Sequence, residues 1–538
     1  MMRYLLHDVF LESCRRAPER TAIITEAGDA WTYAALNAEA NRFAEIIAHA
    51  KPGDRRQKPF VGILSSVHSQ SIAAILGTLK LGCAYVPLDE YSPVERLAKI
   101  IENTKLDVVC VDSHLYKQHA ALFDHPDIKA VVLLNNDVPV PASAKTVTYA
   151  QVKAAASAEP PLLNQVSDDL AYILHSSGST GVPKGIMLTH RNARTFTDWM
   201  QKEFALTPED VVASRAPFKF DLSVFDIFNT FLAGATLACF DWNRTRDGDA
   251  KHADYVKMMA RCGATILYTT PSTLIALRNR GGLDEAALKL RTIMYAGEPF
   301  PPAQLRRVMQ ALPGVGVANI YGPTETNIIT CYWVPAPPVG DNPIPLGKVV
   351  EDTEIIVMDN DSARLCAPGE LGELWCRGGT VTLGYLGMED KTRECLVQSP
   401  VHPYPALFWR TGDYGFYDEA GVLHYRGRKD HMVKVKGFRI ELGEIEIALS
   451  QHGGLDEFAV VAVADLKYGN RLYCHYAPLA GRTVSPGELQ QFLATKLPEY
   501  MIPFGFQPWP ALPKTSSGKA DRVMLAEVSA GAELRQAG

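Results

Sequence analysis

The sequence predicts an α/β chain of more than one domain: a large N-terminal part of layered α/β units with a small β-rich subdomain, then a small C-terminal domain. Three observations carry this. At 538 residues the chain exceeds what a single core ordinarily holds. Through its first two-thirds, short β-branched runs alternate with helical patterns. From about residue 340 the runs become short strands separated by turn signals.

Taken in order, the first twenty residues carry His7, Asp8 and Glu12 early and have no uninterrupted apolar centre, so they predict an amphipathic helix rather than a secretory leader. Runs at 61–64, 84–88, 108–111 and 130–134 read as buried strands, with a helix at 71–77 between the first two. Such alternation predicts βαβ units and a largely parallel sheet covered on both faces. Segments 354–358, 373–376 and 421–425 build the β-rich subdomain. The charged stretch 426–431 then divides residues 1–429, the core, from residues 430–538, a separate small domain.

Composition narrows the function. Hydrophobic content of 47%, charged content of 21% and a mean hydropathy of -0.05 describe an ordinary globular protein. A net charge of -6 and a pI near 6.2 argue against a nucleic-acid surface. No stretch reaches about 18 apolar residues, so no membrane span is expected. The ten cysteines are scattered without a CxxC, the pattern of reduced thiols in a cytoplasmic protein.

The densest chemistry lies at 175–185, HSSGSTGVPKG, directly after the apolar run 170–174. Ser176, Ser177, Gly178, Ser179, Thr180 and Gly181 offer hydroxyls and unhindered backbone N–H groups, and Lys184 adds positive charge. A strand ending in such a loop suits a polyphosphate. The spacing is not that of a P-loop NTPase. It resembles the phosphate-binding loop of the adenylate-forming (ANL) superfamily, which includes acyl-CoA synthetases, luciferases and the adenylation domains of nonribosomal peptide synthesis. The family loop begins Tyr-Thr-Ser-Gly; His-Ser-Ser-Gly here keeps a hydroxyl in place.

The resemblance extends over nearly the whole chain, with motifs in the family's order: LKLGCAYVPLDEYSP, the Gly-rich loop, APFKFDLSVFDIF, YAGEPFP, NIYGPTET, GELGELWCRG, FWRTGDYG, YRGRKDHMVKVKGFRIELGEIE and LPKTSSGKADR. It implies the ANL fold, with a mobile α+β C-terminal domain, and ATP and Mg²⁺ as reactants. Gly297, Glu298 and Pro299 fall in a nucleotide motif. Tyr321 is placed to stack on adenine, Thr324 to hydrogen-bond the reacting phosphate, and Glu325 to hold Mg²⁺ as a hard oxygen ligand. Asp413 resembles the aspartate that accepts both ribose hydroxyls, and Arg428 the family arginine that also touches the nucleotide. Lys519 matches the catalytic lysine, whose ammonium stabilises charge building on phosphorus as a carboxylate attacks ATP. Lys514, on the entry side of the same turn, is the competing lysine. Asp430 falls where the family has its hinge residue, and Gly437 in the segment that replaces the lysine-bearing face during thioester formation.

The acyl pocket carries a further signal. Asp221 aligns with the aspartate that pairs with an amino acid's α-ammonium, and a lone carboxylate in an apolar pocket is costly unless the substrate brings a cation. A helix N-cap is the competing role. The remaining pocket positions implied by the resemblance are Leu222, Phe225, Thr269, Met294, Ala296, Ile320, Ile328 and Ile329, with Lys519 holding the carboxylate. That lining, apolar except for Thr269, fits a small or medium apolar amino acid, proline first, with valine, isoleucine or alanine as alternatives. The motifs look most like freestanding enzymes such as the prolyl-carrier-protein ligases, so the expected acceptor is the phosphopantetheine thiol of a separate carrier protein. An AMP-forming acyl-CoA ligase acting on an acid without an amine is the alternative.

Overall fold

The structure, a computed structural model, describes the chain except residues 1–3, 52–58, 142, 160–163, 177–182, 243–249, 341, 429–431, 466–468, 480, 515–519 and 537–538. Two parallel-rich sheets make the large domain, where the sequence pattern had implied one. The seven-stranded sheet runs Thr146–Val147, Ala130–Leu133, Val108–Val111, Phe60–Leu64, Ala84–Pro87, Leu170–Ser176, Lys184–Thr189, and only its last pairing is antiparallel. The nine-stranded sheet has a parallel centre, Gly316–Tyr321, Thr292–Tyr295, Ile266–Thr269, Val211–Ser214, Thr236–Cys239, Thr21–Thr25, with antiparallel strands at its edges.

Strands such as Val108–Val111 and Thr292–Tyr295 are buried at every residue because helices cover both faces. The helix expected at 71–77 spans Ser69–Lys80, since His68 and Ser71 close a capping box one turn earlier. It packs on Tyr33–Ala50 so closely that a Cβ at Gly77 would meet the Ala40 carbonyl at 2.6 Å. The N-terminal helix forms at Asp8–Arg16.

The β-rich subdomain is a six-stranded antiparallel sheet. Its central strand, Leu407–Tyr417, contains Thr411-Gly412-Asp413, a triplet with the look of a turn; Gly412, at φ +72°, bends the strand instead of ending it. The small domain has a hairpin, Met432–Val435 with Phe438–Glu441, and a three-stranded sheet, Leu455–Asp465, Gly469–Pro478, Gly505–Pro508. Its own apolar core includes Ile440, Ile445, Val460, Leu472 and Leu489. All ten cysteines are free. Among the described residues no helix is long and apolar enough to cross a membrane.

Candidate active site

The parallel strands of the nine-stranded sheet end together at Ser214, Thr269, Tyr295 and Tyr321. Crevices beyond the carboxyl ends of such strands are where open α/β sheets take ligands. A cavity of about 940 Å³ opens there, lined among others by Ser176, Asp221, Leu222, Thr269, Ala296, Gly297, Thr324 and Ile328. These eight positions, all singled out in the sequence and drawn from five separate stretches of chain, thus meet in one space.

Asp221 begins the short helix Leu222–Val224, which runs into a π-helical turn at Phe225–Asn229. Its side chain makes no capping hydrogen bond, so the N-cap role is set aside and the carboxyl is left to the cavity. Burial raises its pKa from an ordinary 3.8 to about 6, although the Lys434 charge and nearby backbone N–H groups pull the other way.

Tyr321 donates its hydroxyl to Asp413 Oδ2 at 2.5 Å, and Arg428 donates to Asp413 Oδ1 at 2.8 Å and to the Thr411 carbonyl at 2.9 Å. Glu298 accepts from the Ser272 amide at 2.9 Å and is pushed upward in pKa by burial. Pro299 is exposed beside it.

Of the other pocket positions, Phe225, Met294 and Ile320 are buried in the core that also holds Leu222 and Ile328. They lie outside the cavity lining, and Phe225 packs edge-on against Tyr268. Ile329 packs elsewhere, with Leu346, Ile355 and Val357 of the β-rich side. Ile328 lines the cavity and Ile329 does not, so the two do not share the pocket.

Glu325 is fully buried and its two oxygens accept from Tyr385 Oη, at 2.7 Å, and from Arg439. Burial opposes its ionisation, yet the Arg439 charge and the Tyr385 hydroxyl hold its pKa below the ordinary range. A hard carboxylate that already takes a cation is chemically fit for Mg²⁺. Lys184 pairs with Glu441 and stands 5.6 Å from the Tyr385 ring centre.

Arg439, Glu441 and Lys434, which the sequence reading did not single out, all lie on the 432–441 hairpin. Lys434 and Arg439 are directly opposite each other across it. Like charges so placed repel, which is tolerable where acids face them; Asp413, Glu298 and Glu325 do. The alternation of charges in KVKGFRIE was the available signal. The hairpin turns at Lys436 and Gly437, φ +52° and +84°, a pair that a two-residue turn requires. A Cβ at Gly437 would stand 3.0 Å from the Thr270 methyl.

Ser177, Gly178, Ser179, Thr180, Gly181, Asp430 and Lys519 lie outside the described residues. Lys514 pairs with Glu457 at 2.6 Å on the small domain's sheet and is not among the cavity's lining residues.

The sequence model of the AMP-binding enzyme family matches residues 10–386, and that of the AMP-binding enzyme C-terminal domain matches 444–519. The chain belongs to the AMP-binding enzyme family. This AMP-binding enzyme is 34% identical over 527 residues to an L-proline--[L-prolyl-carrier protein] ligase of Pseudomonas fluorescens, covering 97% of this chain and 99% of that one. It is 37% identical over 460 residues to a protein of the same name from Streptomyces coelicolor, covering 83% of each. Among solved structures it is similar to IdnL1, with a TM-score of 0.74 and 25% identity over 95% of this chain and 100% of that one. It also shares its fold with the amide bond synthetase McbA of Marinactinospora thermotolerans, with a TM-score of 0.84 and 20% identity over 97% and 99%.

Proposed function

We propose that this AMP-binding enzyme activates L-proline, or failing that valine, isoleucine or alanine, as aminoacyl-AMP and passes it to the phosphopantetheine thiol of a separate carrier protein. The observation that carries the reading is Asp221: a carboxyl lining the cavity, pushed up to about pKa 6 by burial, with apolar Leu222, Ala296 and Ile328 also in the wall. Such a group binds a substrate ammonium with unusual benefit, because the ion pair relieves a desolvated charge. The names of the two carrier-protein ligases above support the same substrate class and partner.

In the first step a substrate carboxylate oxygen attacks the α-phosphorus of ATP and pyrophosphate leaves. No general base is needed, since the nucleophile is already ionised at neutral pH. The loop 176–181 and Lys184 hold the phosphates, Thr324 the reacting phosphate, and Gly297, Glu298, Pro299 and Tyr321 the adenine. Asp413, with Arg428 beside it, takes the ribose. Glu325 would hold Mg²⁺, which would neutralise phosphate charge. Lys519 stabilises the charge developing in the transition state and grips the substrate carboxylate.

In the second step the carrier's thiol sulfur attacks the acyl carbon, the C–O bond to AMP breaks, and the thiol proton is lost to solvent. The small domain, bounded at 429/430 and hinged at Asp430, brings Lys519 for the first step and the 432–441 hairpin for the second. The seat of Gly437 against Thr270, together with Lys184–Glu441 and Glu325–Arg439, supports assigning the observed arrangement to the second step.

ATP–pyrophosphate exchange across the proteinogenic amino acids and several D-forms tests the reading, with fatty and aryl acids plus CoA as the opposing arm. Exchange with proline or another small apolar amino acid is expected. Turnover only with acids lacking an amine replaces the proposal with an acyl-CoA ligase.

A further inference from the structure

Two residues before Asp221 stands a buried cation whose surroundings come from both domains. Lys219 Nζ pairs with Asp89 Oδ1 at 2.5 Å, both side chains being at most 10% exposed. The same ammonium lies 4.5 Å from the ring centre of Phe438, 4.7 Å from Tyr500, 5.4 Å from Tyr91 and 5.5 Å from Phe220. Tyr91 and Phe220 belong to the large domain; Phe438 is on the 432–441 hairpin and Tyr500 in the turn Glu499–Met501. The two small-domain rings stack at 3.7 Å with 14° between their planes, and Phe438 meets Phe220 edge-on at 5.1 Å. Tyr500 Oη also donates to Asp89 Oδ2 at 3.1 Å.

A cation within about 6 Å of an aromatic face is attracted to it, more strongly when desolvated. Here four faces and one carboxylate share one ammonium, and half of the rings are delivered by the hairpin arrangement. Any rotation that withdraws the 432–441 hairpin removes Phe438 and Tyr500 together. Lys219 and Asp89 then face the cavity with half of their cage gone. The cage is therefore a property of one domain arrangement, not of the large domain's own fold.

We propose that Lys219 is a positioning residue for acyl transfer, latching the small domain in the hairpin-seated arrangement through the Tyr91–Phe220–Phe438–Tyr500 cage and Asp89. The proposal rests on the two-step reading above, in which that arrangement serves the second step.

The test separates the half-reactions. Lys219→Met and Tyr500→Leu are each expected to lower carrier loading about tenfold while pyrophosphate exchange changes less than about twofold. Lys219→Arg, which keeps a cation able to stack on the rings, is expected to restore most of the loading. The double variant should load no worse than the poorer single one, because one latch is broken once. Proportional loss in both half-reactions, additive losses, or undiminished loading overturns the latch. Wild-type exchange and loading, run alongside, report on the proposed function itself. Should the wild type load no carrier, the latch is still read by Förster transfer between dyes attached through non-natural amino acids at exposed positions 339 and 523. Lys219→Met and Tyr500→Leu are expected to shift the transfer efficiency, and values identical to wild type overturn it.

Discussion

Lowering the pH should disable substrate recognition before it disables the fold, and Asp221 sets where. Only its carboxylate form pairs with an α-ammonium, and in the ligand-free site it titrates near pH 6. Below that value kcat/KM for the amino acid is expected to fall about tenfold per pH unit, so at pH 5 roughly one-eleventh remains, a loss of about 1.4 kcal/mol. Asp221→Asn keeps the shape and removes the charge. Losing one partner of a buried pair costs about 3–5 kcal/mol, and the variant should lose that amount in kcat/KM and the pH 6 limb with it. Stability should move the other way. A pKa raised from 3.8 to about 6 means the folded state binds the proton more tightly, so folding stability falls as pH rises between those values and the cost is complete above pH 6, at about 3 kcal/mol. Asp221→Asn should therefore melt above wild type at pH 7 and alongside it below pH 4. Pyrophosphate exchange profiles from pH 4.5 to 8, with thermal melts of both proteins, check the three effects. An Asn variant with wild-type kcat/KM, or a wild-type profile flat through pH 6, would refute the ammonium-binding role.

Lys519→Ala is expected to abolish pyrophosphate exchange while leaving the melting temperature unchanged, because the ammonium stabilises charge that exists only during reaction; wild-type exchange would remove the assignment. Gly437→Val places a branched side chain at φ +84° against Thr270, so carrier loading should fall far more than adenylation, read by the same two assays. Asp430→Pro should restrict the hinge and depress thioester formation more than adenylation, and equal effects on both steps would count against a hinge role.

Local chemistry was legible in the sequence, and long-range complementarity was not. Asp221 stood out through its alignment with the family aspartate, supported by the cost of a lone acid in an apolar pocket, and the runs at 61–64 and 108–111 gave their strands through β-branched composition alone. The helix start at Ser69 was missed because His68 is an unusual capping residue. Asp413 sits within a strand because a glycine can bend a strand as well as end it. Lys219 was not singled out within FKFD, since Asp89 and Tyr91 reach it only through the large domain's tertiary fold and Phe438 and Tyr500 only through the docking of the small domain. Lys434 and Arg439 left a trace in the alternating charges of KVKGFRIE, but their purpose depends on acids contributed by other parts of the fold.

Those acids explain how one surface can accept two different occupants. Glu325 and Lys184 are both buried, and each would be costly if left alone. In the hairpin-seated arrangement Arg439 answers Glu325 and Glu441 answers Lys184. On the proposed reading the nucleotide answers the same two groups with opposite signs of its own, a phosphate for Lys184 and Mg²⁺ for Glu325. Each charge is then compensated in both states, so exchanging one occupant for the other requires no long-lived bare ion. The Lys434–Arg439 pair adds direction: two cations held side by side repel, and an acid-lined cleft is the place where that repulsion is relieved. On that reading the hairpin is drawn to this seat by charge, and the proposed aromatic cage around Lys219 holds it there.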